Sequence, residues 1–166
     1  CALDGTRVGG DVTGVQVSDG QGKKGRGGEN PEGGGRVHGK VIELEPGKLV
    51  CLLRSRAADH IYRSESNDNG ETWSVPVPTP LRNNNASISA IKLQSGALAI
   101  IYNDVSFNED GSRTVWPDQR CPVAMALSED GGKTWPWRRI VVLGEGFIGP
   151  WNDVNNRRTV YPIVIK

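Results

Sequence analysis

Residues 54–60 bring two guanidinium groups, a carboxylate and an imidazole into one short stretch: Arg54, Arg56, Asp59 and His60. A planar guanidinium grips a carboxylate through two parallel hydrogen bonds and keeps its charge at any physiological pH. A carboxylate whose pKa is raised by partial burial can pass protons near neutral pH. These residue types could therefore bind an acidic ligand and do proton transfer on it. The bland alternative is a solvated loop whose ion pair is worth little. Arg36-Val37-His38 supplies a further guanidinium upstream. Arg82-Asn83-Asn84-Asn85-Ala86-Ser87 offers amides that could hydrogen-bond hydroxyl groups, although Asn is as commonly a turn residue. Trp116 and Trp151 present flat apolar faces suited either to stacking or to rim packing. Arg157 and Arg158 are adjacent, so on a strand at most one of them faces a given site. His38 and His60 have no metal-ligand spacing with Cys or a carboxylate. The three cysteines show none either, and Cys51 and Cys121 sit in apolar runs that read as reduced core.

The elements that must position these groups are announced by a repeat. Ser66-Asn67-Asp68-Asn69-Gly70-Glu71-Thr72-Trp73 and Ser128-Glu129-Asp130-Gly131-Gly132-Lys133-Thr134-Trp135 share the pattern S-x-D-x-G-x-T-W. An Asp carboxylate accepts hydrogen bonds from backbone N–H groups just ahead of it and so closes a turn. Gly70 and Gly132 stand where such a turn needs positive φ. The Ser and Thr hydroxyls tie the arms together, and the Trp anchors the turn to a sheet. The octapeptide therefore reads as a hairpin clasp. A calcium loop would need more oxygen donors at EF-hand spacing.

Around each clasp lie four short β-type runs separated by turn residues. The first unit has residues 41–44, 48–53, 60–64 and 74–77, and the second has 89–93, 97–102, 123–127 and 139–143. Nothing sustains helical periodicity. The turn glycines Gly47 and Gly96 are 49 residues apart but the clasps are 62 apart, so the second unit carries a longer loop between its second and third strands. Residues 159–165 look like the first strand of a third unit. Four-strand units at this period are propeller blades, so the expected fold is all-β, a partial β-propeller of two antiparallel blades plus one strand. Residues 1–35 hold 12 of the 22 glycines and no aromatic residue, and read as a disordered lead-in, leaving 36–166 as the propeller segment. Within the lead-in, residues 12–17 alternate weakly enough for one poor strand.

A formal charge of +1 makes no broad electrostatic claim on nucleic acid or membrane, and no apolar run is long enough to span a bilayer. The chain starts at Cys1 with no charged-then-apolar leader, so no signal peptide is visible, and the compartment stays open.

The repeated octapeptide resembles the Asp box, or BNR repeat, of the sialidase (neuraminidase) superfamily. The resemblance implies a six-bladed propeller of which this chain would be a fragment, the remaining blades being its structural partners. It implies a parent enzyme that removes terminal sialic acid or a related acidic sugar from glycans without a cofactor. It also implies that the clasps mark the fold while the site lies at the opposite ends of the blades. The family holds the sugar carboxylate with three arginines, the first in an R-I-P motif. Arg36-Val37-His38 lies at nearly that place, with His for Pro and one extra residue. An arginine after the second strand followed by the acid/base Asp is also typical. Arg56 and Asp59 fit that order, Asp59 then being the proton-transfer carboxylate, with Arg54, Asn83 and Asn85 as further substrate-binding candidates. The family's Tyr nucleophile, its Glu partner and two arginines come from later blades, so the isolated chain is expected to be inactive. Tyr161 does not match the nucleophile. A non-catalytic glycan-binding or protein-interaction propeller is the alternative, since the box alone carries no chemistry.

Overall fold

The computed structural model describes residues 14–17, 26–29, 36–106, 120–143 and 163–165. Among these residues there are ten strands and no helix. Gly14–Val17 (β1) and Arg26–Glu29 (β2) pair as a two-stranded antiparallel sheet, and the rest of the glycine-rich segment lies outside the described residues. The remaining strands form two four-stranded sheets. One is Arg36–Glu45 (β3), Lys48–Ser55 (β4), His60–Ser66 (β5) and Val77–Arg82 (β6), in that order. The other is Ser89–Lys92 (β7), Leu98–Asn103 (β8), Val123–Ser128 (β9) and Trp137–Val142 (β10). Every neighbouring pair is antiparallel. The fold is thus all-β, two consecutive propeller blades each built as a meander.

Local chemistry explains the register. Pro46-Gly47 provides the order a tight turn requires, with Gly47 at φ 80°, and Glu45 then pairs with Lys48 across it. Beyond the turn β4 is buried on both faces. Val50 and Leu52 join Ile42, Ile61 and Leu81 in a core shared with Leu98, Ile100, Ala126 and Trp135 of the second blade. Leu49, Cys51 and Leu53 point the other way, into a cluster with Tyr62 and Trp73. A strand sandwiched in this manner reads as an unbroken apolar run rather than an alternating one, and each such side chain contributes about 1.5–3 kcal/mol.

The outer strand of the first blade departs from the expected residues 74–77 and starts at Val77 instead. Ser74 is still tied into the clasp: its N–H donates to Glu65 O (2.9 Å), and its carbonyl accepts from Ser64 Oγ (2.6 Å). Only after Pro76 is the chain free to run along β5. Pro78 and Pro80 then lie on this edge strand, the position in a sheet that tolerates proline. The corresponding edge of the second blade, β10, contains no proline and is exposed at every residue, Trp137 by 62%. Of the expected strand over residues 159–165 only 163–165 are described; they form no ladder, and Val164 N–H donates to Ser89 Oγ at 3.2 Å.

Named bonds hold the blades in register beyond the shared core. The Lys92 ammonium reaches Leu44 O, and the Arg82 guanidinium meets Asp104 (3.3 Å). Arg63 Nε donates to Gly131 O (2.9 Å) while Nη2 holds Glu65 (2.8 Å). Glycine suits this last contact, because residue 131 is at φ +70° and a Cβ there would stand 2.9 Å from Leu44 Cδ1, which would have to shift.

Candidate functional site

The two ends of the blades carry different chemistry. At the end where β5 and β9 finish, each Asp box closes as a hydrogen-bonded clasp. Asp68 Oδ1 accepts from Ser66 Oγ (2.7 Å) and Thr72 N (2.9 Å), and Oδ2 accepts from the Thr72 hydroxyl. Asp130 repeats this with Ser128 Oγ (2.7 Å), Thr134 N (2.9 Å) and Thr134 Oγ1 (2.6 Å), and adds Lys133 N. The indoles of Trp73 and Trp135 donate to Gly70 O and Gly132 O, both at 3.1 Å. Two successive residues in each box have positive φ, Asn69 and Gly70 in one, Gly131 and Gly132 in the other. The Thr72 side-chain and backbone bonds hold the Asp68 carboxyl down at about 2. For Asp130, desolvation pushes upward, but the Thr134, Ser128 and Lys133 bonds outweigh it and leave the carboxyl at about 2. The carboxylates are thus committed to their own turns. A cleft of about 510 Å³ also opens at this end, between the boxes, beside Lys48, Arg63, Lys92 and Lys133. Arg63 is spent on Gly131 and Glu65 and Lys48 on Glu45, and the cleft is lined by neither Arg54 nor Asp59.

At the opposite end, the start of β3, the β4–β5 loop and the β6–β7 loop converge. Arg36 pairs with Ser55 in the ladder and Val37 with Arg54, but the next pair is Lys40 with Leu52. Two residues on β3, His38 and Gly39, therefore lie opposite one on β4, Leu53, a bulge with His38 at φ 47°. A Cβ on Gly39 would press to within 2.6 Å of Leu53 and 2.7 Å of the Cys51 sulfur, so the bulge can only pass through glycine.

Arg54 is the hub of this end. Its guanidinium, 7% exposed, donates through Nη1 to Asn85 O (2.6 Å) and through Nη2 to His38 Nδ1. Partial desolvation, followed by the charges of Arg54 and Arg56, keeps the His38 pKa below its usual value, which suits an imidazole accepting at Nδ1. Arg56 is half-buried. Asp59 is 3% exposed and follows Ala58, a fully buried residue at φ 57°. Its carbonyl accepts from Asn83 N (3.0 Å), and its carboxyl Oδ2 accepts from Tyr62 OH (2.6 Å). Its Oδ1 is buried with no hydrogen-bond partner among the described residues, and the same holds for both amide atoms of Asn83. Asn83, Asn84 and Asn85 are all enclosed, Asn85 at φ 62° and Asn84 Oδ1 accepting from Ala86 N (3.2 Å). Among the described residues, three of the four non-glycine residues with positive φ, namely His38, Ala58 and Asn85, thus meet at one place. Strain of this kind costs about 1–3 kcal/mol per residue and survives only where surrounding contacts impose it.

The BNR repeat-like domain family matches residues 4–166. The chain belongs to that family. Similar solved structures include the Hadza microbial sialidase Hz136 (24% identity, TM-score 0.62), covering 80% of this chain and 25% of that one. The intramolecular trans-sialidase from Ruminococcus gnavus follows at 21% identity and TM-score 0.57, covering 77% and 28%. The NanB sialidase from Streptococcus pneumoniae gives 18% and 0.61, covering 82% and 21%. At these identities the likeness establishes the fold, and this BNR repeat-like chain spans about a quarter of the length of those structures. No curated protein matches the sequence.

In the BNR repeat-like chain the structure brings Arg54, Asp59, Asn83 and Asn85 together, sets the Arg36 backbone opposite Ser55, and leaves Arg56 beside them at the rim. Trp116, Trp151, Arg157, Arg158 and Tyr161 lie outside the described residues. Two partners were not singled out in the sequence, His38 as the acceptor for Arg54 and Tyr62 as the donor to Asp59. A signal for Tyr62 was present: a tyrosine inside an apolar strand must find a partner for its hydroxyl, and an aspartate stands three residues before it. Among the described residues no group of three or more His, Cys, Asp or Glu could hold a metal ion.

Proposed function

We propose that this chain is the early-blade segment of a six-bladed, sialidase-type glycoside hydrolase, acting on glycans that end in sialic acid or a related acidic sugar. In this reading Asp59 exchanges the proton with the glycosidic oxygen. Arg36 and Arg56 are assigned to the sugar carboxylate, while Arg54, bound to Asn85 and His38, holds the floor of the site. Asn83 and Asn85 shape that floor. The nucleophile and the other arginines come from the remaining blades.

One observation carries the reading. The carboxylate and guanidinium groups gather at the end of the blades away from the Asp boxes, on backbone held in costly conformations, with one carboxyl oxygen uncommitted among the described residues. The experiment is release of free sialic acid from sialyllactose by the full-length protein, with Arg36→Ala and Asp59→Asn variants beside it. Turnover should fall at least about 100-fold in each variant, and residues 1–166 alone should release none. Unchanged turnover in both variants would remove the site assignment.

A second reading, a non-catalytic glycan-binding propeller, draws on the enclosure of Asp59, which leaves 3% of its surface to reach a substrate. Retention on a sialylated glycan surface without release of sugar from any sialoside would favour it.

A further inference from the structure

We propose that Tyr62 is a positioning residue for Asp59, fixing which carboxyl oxygen carries the transferable proton; the proposal rests on the hydrolase reading above. The Tyr62 hydroxyl donates to Asp59 Oδ2 at 2.6 Å, a length typical of O–H···O⁻ bonds. The ring that delivers it cannot swing. Tyr62 is 9% exposed in β5, whose neighbours β4 and β6 both pair with it, and it packs in the cluster with Leu53, Cys51 and Trp73. Asp59 is fixed from the backbone side as well, through its carbonyl bond from Asn83 N and through the left-handed Ala58 before it. With Oδ2 engaged, Oδ1 is the oxygen left to hold and hand over a proton.

Oδ1–H passes its proton to the glycosidic oxygen as the bond from that oxygen to the anomeric carbon breaks, the bonding pair remaining on the departing alcohol. The tyrosine nucleophile expected from a later blade forms the new bond to the anomeric carbon, its phenolic proton passing to the glutamate expected beside it. Asp59 becomes a carboxylate, and its developing charge strengthens the Tyr62 bond at Oδ2. In the second half the bond between the tyrosine oxygen and the anomeric carbon breaks, its pair remaining on that oxygen, which recovers its proton from the glutamate, while a water molecule gives a proton to Oδ1 and its oxygen to the anomeric carbon. The Tyr62 hydroxyl keeps its own proton throughout, so it touches neither substrate nor the reacting atoms.

Leaving groups separate this role from simple packing. A sugar alcohol is a poor leaving group and needs the proton, whereas 4-methylumbelliferone departs as a stable phenolate and needs it far less. The test compares the full-length wild type, Tyr62→Phe and Asp59→Asn on sialyllactose and on 4-methylumbelliferyl sialoside, with thermal melts as a folding control. Tyr62→Phe keeps the ring and its packing. The expected result is a loss of about 10-fold in kcat on sialyllactose with KM nearly unchanged, and little loss on the aryl substrate. Asp59→Asn should show the same selectivity, larger in size. Equal losses on both substrates, or none on sialyllactose, would overturn the role of Tyr62 while leaving the hydrolase reading intact. A wild type inactive on both substrates would overturn the hydrolase reading and this role with it.

Discussion

Replacing Gly131 by alanine tests the blade junction at its tightest point. Two costs add. Residue 131 has φ +70°, where an L side chain costs about 1 kcal/mol relative to glycine. The new methyl would also stand 2.9 Å from Leu44 Cδ1, well inside contact distance. Leu44 is a half-buried, flexible side chain packed against the shared core, so it can yield, at about 1 kcal/mol, the low end of overpacking. The sum is about 2 kcal/mol, or roughly a 30-fold shift in the unfolding equilibrium. Urea unfolding of the full-length protein, followed by tryptophan fluorescence, reads it as a lower midpoint at unchanged slope. The first box supplies the control. Asn69 occupies the matching position at φ 62° and is exposed, so Asn69→Gly should be neutral or slightly stabilising. Gly131→Asn, which suits the left-handed backbone but still carries a Cβ, should recover only the conformational part. A Gly131→Ala protein as stable as wild type would refute the steric account of why the second box reads Asp-Gly-Gly.

Two further outcomes follow from the ionisable groups. The carboxyls of Asp68 and Asp130 sit at about 2 in the fold, below the usual carboxylate range. Their contribution to stability is therefore present above pH 4 and lost as the pH falls towards 2, and the combined Asp68→Asn, Asp130→Asn protein should show a flatter stability profile over that window in acid titrations by circular dichroism. Complete burial pushes the Cys51 thiol up to about 12, so it should resist a thiol-reactive chromophore at pH 8 in the native protein and react once urea is added; rapid native labelling of Cys51 would contradict its enclosure.

Much of the architecture was legible in the residue string because it is local. The clasp is one turn whose hydrogen bonds are made within eight residues, so its chemistry survives in the pattern itself. The positive φ expected at Gly70 and Gly132 is observed, and spacing between glycine turns gave the blades their strands. The outer strand of the first blade was misread because Ser74-Val75-Pro76-Val77 has the right texture for a strand, while the bonds from Ser64 and Glu65 to Ser74 delay its start. The bulge at His38 and Gly39 has no signature in the residue string; only the ladder shows it. The candidate site was less legible because it is assembled from three separate loops. Whether Asn83 and Asn85 meet solvent depends on how the loop folds over Arg54 and Asp59, and no periodicity encodes that.

The contrast between the two far edge strands, β6 and β10, reaches past this molecule. Pro78 and Pro80 deny an incoming strand the amide hydrogens it would need along β6, whereas β10 presents Trp137, Ile140, Val141 and Val142 with a proline-free backbone. Docking along these borders is therefore one-sided. A strand laid along β10 would find proline-free backbone to pair with, and one laid along β6 would not.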